Sequence, residues 1–248
     1  MTAFEKLLRA KSEKGAGYLV LLDPDKALAD NLHSIVQKAL DARIDAFLIG
    51  GSLLMTPDFD NYIKTIKQFT NDVPVIIFPG GVNQISAHAD ALLYLSLLSG
   101  RNPHHIIGTQ VMAAPIIHKL KIEPISTAYL LVESGKATTA EFMSGTTPLP
   151  RHKIDIAVAH ALAASYLGFK MIYLEGGSGA EHSVPDEMIA AIASVVDVPL
   201  IVGGGIRTPD EAARKVAAGA SFVVTGNVLE NNGDSSLIKE FSQAVHKA

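Results

Sequence analysis

The sequence predicts a single (β/α)8 barrel, or TIM barrel, spanning residues 1–248. Three observations support this fold class. Eight short apolar runs alternate with helical patterns along the chain, as in a parallel sheet with both faces covered. The length of 248 residues matches the roughly 250 residues typical of one such barrel. Glycine-rich segments follow the last three runs, where barrels commonly bind phosphate.

The predicted strands are apolar throughout instead of alternating in polarity, which is typical of strands buried on both faces. In chain order they cover residues 18–22, 46–49, 75–78, 92–98, 125–132, 171–174, 200–202 and 222–224. Residues 1–14 form an amphipathic helix with Phe4, Leu7 and Leu8 on one side, and further helices are predicted over 28–40, 154–167, 186–195 and 210–218. Ser183 to Asp186 marks the start of the third of these, and for the last Thr208 caps, Pro209 opens the helix and Glu211 completes a capping box.

Two connections depart from the regular pattern. Only 13 residues separate Phe78 from Leu92, so the third crossover helix is expected to be short or replaced by extended chain. That would open a lateral gap for a long ligand, although a two-turn helix over 84–89 is an equal alternative. Residues 134–152, rich in Gly, Ser, Thr and Pro, follow the fifth strand and favour a lid or binding segment over a loop without function.

Composition excludes several classes of function. With 48% apolar and 19% charged residues the chain predicts a compact globule, and its longest apolar runs are too short to cross a bilayer. The absence of cysteine excludes disulfides, thiolate metal sites and cysteine nucleophiles. A net charge of −4 without a basic run makes nucleic acid an unexpected partner. Because the opening residues predict a helix and not a leader, cytoplasmic residence is expected.

Glycine clusters after strands six, seven and eight predict a phosphate site. A residue without Cβ lets backbone N–H groups approach phosphate oxygens, and barrels place such sites beside the N-terminus of a short extra helix. Residues 228–230, after Gly226 and Asn227, are a candidate for that helix. Arg207 is a further candidate for a phosphate contact, whereas a solvated charge is its plainer interpretation.

Asp23 follows strand one and Ser52 follows strand two, so both are expected at the same mouth of the barrel. Hard oxygen ligands there suit Mg2+, which completes its shell with substrate phosphates and water. The alternative is that Asp23 caps the following helix. Asp25 and Lys26 are interpreted as a first-turn cap and a surface charge.

Glu175 ends a buried apolar run among glycines, where burial would raise its pKa toward general-base duty. A residue that only binds a substrate hydroxyl would need the same position, so the sequence is compatible with both a general base and a simple hydroxyl-binding residue. The adjacent His104 and His105 lack metal-ligand spacing and predict surface or capping roles.

Six segments together resemble the geranylgeranylglyceryl phosphate synthase family across nearly the whole barrel: LDPDK (22–26), GGS (50–52), FPG (78–80), YLEGGSG (173–179), GGGIR (203–207) and TGN (225–227). YLEGGSG is the most specific of them. The resemblance implies transfer of a prenyl group, most readily geranylgeranyl, from a prenyl diphosphate to the sn-3 hydroxyl of sn-glycerol 1-phosphate, the first ether bond of archaeal-type lipids. It also implies a degenerate third helix and a homo-oligomer, either dimer or hexamer, with no transmembrane segment and room for transient membrane contact.

Carried over by position, the resemblance implies that Asp23 and Ser52 hold Mg2+, with Asp23 and Glu175 catalytic. The implied glycerol-phosphate site consists of Tyr173, Leu174, Glu175, Gly176, Gly177, Ser178, Gly179, Gly204, Gly205, Gly226 and Asn227. The runner-up is another phosphosugar barrel enzyme, an isomerase or aldolase-like protein, without a prenyl donor. The third interpretation of the function is a sensor of a phosphate ligand, or an assembly scaffold, without catalysis.

Overall fold

The computed structural model describes residues 1–26, 31–70, 72–226 and 235–247. Eight parallel strands form a closed barrel in sequence order, with β8 paired back to β1. The strands are β1 Gly17–Leu22, β2 Ala46–Ile49, β3 Val75–Ile77, β4 Ala91–Leu97, β5 Glu123–Leu131, β6 Met171–Glu175, β7 Leu200–Gly203 and β8 Phe222–Thr225. The predicted barrel and all eight predicted strands are therefore confirmed, with ends that differ by at most two residues.

Helices follow most of the strands and cover the outside of the barrel, except that β3 is followed directly by β4 and α1 packs at the amino-terminal end. They are α1 Ala3–Lys14, α2 Leu32–Asp41, α3 Phe59–Lys67, α4 Thr109–Leu120, α5 Thr139–Ser144, α6 Ile154–Tyr166, α7 Asp186–Ala193, α8 Pro209–Ala217 and α9 Ser235–Lys247. A π-helical turn, His104–Gly108, leads directly into α4. Within the described part of the chain, no helix combines the length and the apolar character needed to traverse a lipid bilayer.

Side chains of the strands divide into two apolar layers, because successive residues of a strand point to opposite faces. One layer fills the barrel and includes Leu19, Leu48, Leu93 and Phe222, and Leu7 of α1 packs against it from the amino-terminal end. The second layer lies between the sheet and the surrounding helices. Two-sided burial explains why the strands are apolar without alternation.

Helix α8 shows how local sequence sets an element boundary. Thr208 has extended backbone and its hydroxyl accepts the Glu211 N–H, with Pro209 in the first turn, as expected. The predicted capping box is wrong in its second half. The Glu211 carboxylate accepts the N–H of Arg207 at 3.0 Å and the hydroxyl of Ser183 instead of returning to Thr208.

Residues 78–90 contain no helix, so the predicted replacement of the third crossover helix is confirmed and the alternative helix over 84–89 is wrong. The buried side chain of Gln84 explains why. Its amide donates to the Gly51 carbonyl at 2.7 Å and accepts the Gly51 N–H at 3.2 Å, which ties this crossover to the loop after β2. Gly80 lies so close that a Cβ there would be 2.2 Å from the same carbonyl oxygen.

Candidate active site

A cavity of about 810 Å³ opens at the carboxyl ends of the strands. Asp23, Ser52, Glu175, Gly205 and Gly226 all line it, although they come from the ends of five different strands. The structure therefore brings the predicted acid of strand one and the predicted glycine loops to one mouth. The volume falls within the range of small-molecule sites, roughly 300–1,000 Å³.

Glu175 is the last residue of β6 and is only 5% exposed. Burial raises the pKa of its carboxyl group to about 7, because the charged form loses solvation. The N–H of Gly177, which donates to Glu175 Oε1 at 2.5 Å, and the nearby Tyr173 hydroxyl partly offset that rise. A carboxyl group with this pKa can take up or release a proton at neutral pH.

Gly204 packs directly against Glu175. Its backbone has a φ of +81°, and a Cβ at this position would lie 2.3 Å from Glu175 Oε1 and 2.5 Å from the Gly177 nitrogen. Only glycine combines that conformation with such a close approach. The glycine therefore brings the loop after β7 against the loop after β6.

Three aromatic rings form one wall of the cavity beside Glu175. Phe78 stacks on Tyr173 with ring centroids 5.0 Å apart, and Tyr129 lies 5.9 Å from Phe78 and 5.5 Å from Tyr173. The buried Tyr173 hydroxyl has no partner with hydrogen-bond geometry among the described residues. Burial, together with the negative charge of Glu175, holds the pKa of both tyrosines well above 10. Both are therefore neutral hydrogen-bond donors.

Asp23 lies in the turn after β1, where its Oδ1 accepts the Asp25 N–H at 3.1 Å. It does not cap α2, which begins at Leu32, so the capping alternative is wrong. Asp25 is also not a cap: its two oxygens accept the N–H groups of Met55 and Thr56 at 2.8 and 2.7 Å, and Oδ1 also accepts the Thr56 hydroxyl. The hydrogen bond from that hydroxyl is the main cause that lowers the pKa of Asp25.

The predicted glycerol-phosphate residues are only partly assembled around the cavity. Those that line it are Tyr173, Glu175, Gly177, Ser178, Gly179, Gly204, Gly205 and Gly226. Leu174 points outward into the layer between sheet and helices, because it alternates with Tyr173 and Glu175 along β6. Gly176 is buried outside the cavity lining, and its N–H donates to the Gly203 carbonyl at 2.9 Å. Asn227 and residues 228–230 lie outside the described residues.

The cavity continues through the gap left by the missing helix. There Ile85 of the crossover and Leu92 and Tyr94 of β4 face Gln110 and Ala113 of α4 across an apolar groove. The short crossover predicted the gap, but the sequence assigned none of these residues to a groove. Most of them are apolar and resemble ordinary core, and no local signal distinguishes them.

Two further predictions concern the rim. Thr139, Ala140, Met143 and Ser144 of α5 line the cavity, so residues 134–152 contribute to its rim. His105 is half-buried and also lines the cavity, where burial lowers its pKa. His104 lies at the surface as expected.

Arg207 lines the cavity, but both of its terminal nitrogens are engaged with backbone. Nη2 donates to the Ala180 carbonyl at 2.8 Å and Nη1 donates to the Glu181 carbonyl at 3.0 Å. These bonds reach across to the loop after β6. The guanidinium group therefore ties the loop after β6 to the residues just before α8.

Residues 8–245 match the PcrB family. The chain belongs to this family. Among PcrB relatives, the geranylgeranylglyceryl phosphate synthase of Chitinophaga pinensis is 41% identical over 245 residues, which are 99% of this chain and 96% of the relative. That of Thermococcus gammatolerans is 44% identical over 230 residues, 92% of this chain and 90% of the relative.

Solved structures agree with the family assignment. The (S)-3-O-geranylgeranylglyceryl phosphate synthase of Thermoplasma acidophilum, in complex with its substrate sn-glycerol-1-phosphate, superposes with a TM-score of 0.93 at 34% identity over the full length of both chains. Thiamine phosphate pyrophosphorylase of Pyrococcus furiosus has a TM-score of 0.61 at 14% identity, which shows a shared fold alone. The predicted resemblance to the synthase family is confirmed, and the isomerase or aldolase-like alternative is not favoured.

Proposed function

We propose that this PcrB-family chain is a geranylgeranylglyceryl phosphate synthase, which transfers a prenyl group from a prenyl diphosphate to the sn-3 hydroxyl of sn-glycerol 1-phosphate and releases diphosphate. One observation carries the proposal. A buried carboxyl group, that of Glu175, and a second acid, Asp23, line one cavity that extends into an apolar groove through the gap after β3. Relatives that span nearly the whole chain have that name.

Glu175 is the proposed general base. Its carboxylate takes the proton of the glycerol hydroxyl, the hydroxyl oxygen bonds to C1 of the prenyl chain, and the bond from C1 to the diphosphate oxygen breaks with its electron pair on the diphosphate. Because the pKa of Glu175 is raised to about 7, about half of the Glu175 carboxyl groups are ionised at neutral pH. The ionised form is also more basic than an ordinary carboxylate and accepts a proton more readily. The Tyr173 hydroxyl lies near the Glu175 carboxyl group and supplies a neutral hydrogen-bond donor at the same place.

The glycerol phosphate is proposed to lie on the loops after β6, β7 and β8. Gly177, Ser178 and Gly179 line the cavity on one side, Gly204 and Gly205 adjoin them, and Gly226 completes the rim. Backbone N–H groups of such loops bind an anion without a basic surface. A bound phosphate there places the glycerol hydroxyls toward Glu175 at the end of β6.

Asp23 and Ser52 are the proposed residues that hold Mg2+ with the diphosphate. The donor set fits this ion: the half-buried Asp23 carboxylate and Ser52 both line the cavity, and no group of three or more His, Asp or Glu side chains able to hold a metal occurs among the described residues. Mg2+ commonly takes only one or two protein oxygens and completes its shell with phosphates and water. When bound, it neutralises charge on the departing diphosphate.

The apolar groove is the proposed site of the prenyl tail. Leu92 and Tyr94 of β4 and Ala113 of α4 line it on the outer side of the sheet, and each buried CH2 contributes about 0.8 kcal/mol. The tail therefore supplies a large part of the binding free energy of the donor. Its accepted length depends on how far the groove extends between β4 and α4.

The proposed assembly is a cytoplasmic homo-oligomer, either a dimer or a hexamer. Large apolar side chains on the outer face of α4, including Val111, Met112 and Ile116, are exposed in the single chain. A face of this kind commonly marks a contact surface. Light scattering after gel filtration measures the mass, and a monomer at micromolar concentration would reject this part of the proposal.

The activity is tested by incubating the protein with labelled sn-glycerol 1-phosphate, Mg2+ and prenyl diphosphates of increasing length, followed by extraction into an organic solvent. We expect a lipid-soluble phosphate product and the release of one diphosphate for each molecule of product. Saturable binding of glycerol phosphate without product for any donor would instead indicate a sensor or scaffold. Turnover of a phosphosugar in the absence of a prenyl donor would favour the isomerase or aldolase-like alternative.

A further inference from the structure

Three polar side chains at four-residue spacing, Arg207, Glu211 and Lys215, lie along one side of α8 and the residues just before it. This spacing places side chains above one another on one helix face. All three contact the segment between β6 and α7. We refer to them as the α8 stripe, and we propose that the stripe is a positioning device that holds the glycerol-phosphate loop in its binding conformation.

The first member of the α8 stripe bridges two consecutive backbone carbonyls. Arg207 Nη2 and Nη1 donate to Ala180 and Glu181 at 2.8 and 3.0 Å. A planar guanidinium group presents two such donors in a fixed fork, which a lysine ammonium group cannot reproduce. The contact directly follows Gly177, Ser178 and Gly179, the residues of the loop that line the cavity.

The second and third members continue the contact along the same segment. Glu211 accepts the Ser183 hydroxyl at 2.5 Å and the Arg207 N–H at 3.0 Å, which also links it to the first member. Lys215 is 3% exposed, and its ammonium group donates to the Val184 carbonyl at 2.7 Å and to an oxygen of Asp186 at 2.5 Å.

The α8 stripe thus contacts positions 180, 181, 183, 184 and 186 in order. The loop needs such support because it contains flexible glycines: Gly177 and Gly179 have φ of +99° and +72°. An unsupported loop of this composition would have to be ordered at the moment of binding, which lowers affinity. Support from α8 makes the loop available to phosphate before the ligand arrives.

This inference rests on the glycerol-phosphate site proposed above. The test compares Arg207→Ala, Arg207→Lys and the control Asp210→Asn, an exposed change in the first turn of the same helix. The measured quantities are the Kd of sn-glycerol 1-phosphate by calorimetry, the KM of both substrates, and the Tm. Loss of two partly exposed hydrogen bonds predicts a Kd that is about five- to tenfold higher. A tenfold increase in Kd corresponds to a loss of about 1.4 kcal/mol of binding free energy.

We expect both Arg207 variants to lose glycerol-phosphate affinity to a similar extent, with the KM of the prenyl donor within twofold and a Tm close to that of the control. Added guanidinium ion should partly restore the affinity of Arg207→Ala. Full affinity in Arg207→Lys would show that positive charge alone matters and would overturn the inference. Equal increases in the KM of both substrates, or a lowered Tm with unchanged Kd, would reduce Arg207 to a purely structural role.

A further variant, Tyr173→Phe, separates this inference from the proposed site. If Tyr173→Phe and Arg207→Ala both leave the Kd of glycerol phosphate unchanged, the substrate binds elsewhere and the proposed site is wrong. If only Tyr173→Phe weakens binding, the site stands and the α8 stripe does not position it. Weakening by both variants supports the inference.

Discussion

Replacement of Glu175 by glutamine separates proton transfer from binding and from stability. Gln keeps an oxygen that can accept the Gly177 N–H, but it has no proton affinity near neutral pH. General-base catalysis contributes typically 10²–10⁴-fold, so we expect kcat to fall by about two to four orders of magnitude. The Kd of glycerol phosphate should rise only a few-fold. In the wild-type protein, kcat/KM should increase with pH up to about 7, the pKa of this group, and then level off.

The same substitution should stabilise the protein at alkaline pH. The pKa of Glu175 is raised from 4.5 to about 7, a difference that corresponds to about 3 kcal/mol. The folded state binds this proton more tightly than the unfolded chain does, so the free energy of unfolding falls as the pH rises from about 4.5 to about 7. Above pH 7 the free energy of unfolding falls no further on account of this group. Removing the charge should therefore raise the Tm at pH 8.5 by roughly 5–10 °C and leave it unchanged at pH 4.

Thermal denaturation at both pH values, with Glu187→Gln as an exposed control, measures this effect. Equal Tm differences at pH 4 and pH 8.5 would show that burial does not shift the pKa of Glu175. Equal losses of glycerol-phosphate affinity and of rate would reject the proton-transfer role and leave Glu175 as a binder.

Three further substitutions test other parts of the site. Asp23→Ala should abolish the dependence of activity on Mg2+, and residual activity that still rises with Mg2+ would place the ion elsewhere. Ala113→Phe fills the groove and should raise the KM of a C20 donor by roughly tenfold or more for every two CH2 groups expelled, while a C10 donor is nearly unaffected. Ala114→Phe, exposed on the same helix, is the control, and parallel losses for both donors would contradict the assigned path of the tail. Gly204→Ala should lower both the Tm and glycerol-phosphate affinity because its Cβ would lie 2.3 Å from Glu175 Oε1. Gly168→Ala has a similar φ of +79° and no atom within 4 Å, so a loss of similar size in both would attribute the effect to backbone strain alone.

Much of the site could be predicted from sequence because barrel topology converts chain position into location. The carboxyl ends of all strands lie at the same mouth, so Asp23 and Glu175 could be assigned to one site although they are far apart in sequence. Side-chain direction within a motif was harder to predict. Leu174 lies inside the most specific segment, yet it points away from the cavity because alternation along β6 sends only its neighbours inward.

Roles that depend on partners distant in sequence were not predictable. Asp25 looks like a helix cap beside Pro24, but its oxygens hold the backbone at residues 55 and 56. Arg207 is most plainly interpreted from sequence as a solvated charge, but its guanidinium group donates to two carbonyls of the loop after β6. In both cases the choice among several feasible partners is made only when separate loops meet.

The sequence by itself determined the barrel, the shortness of the third crossover and the mouth at which the polar groups gather, since periodicity, spacing and glycine placement act locally and repeat along the chain; the structure decided that this crossover contains no helix. Only the tertiary structure decided the raised pKa of Glu175, the path of the apolar groove and the contacts of the α8 stripe. These depend on burial and on distances between residues far apart in sequence. Desolvation and close packing arise from the three-dimensional neighbourhood, which no single segment contains.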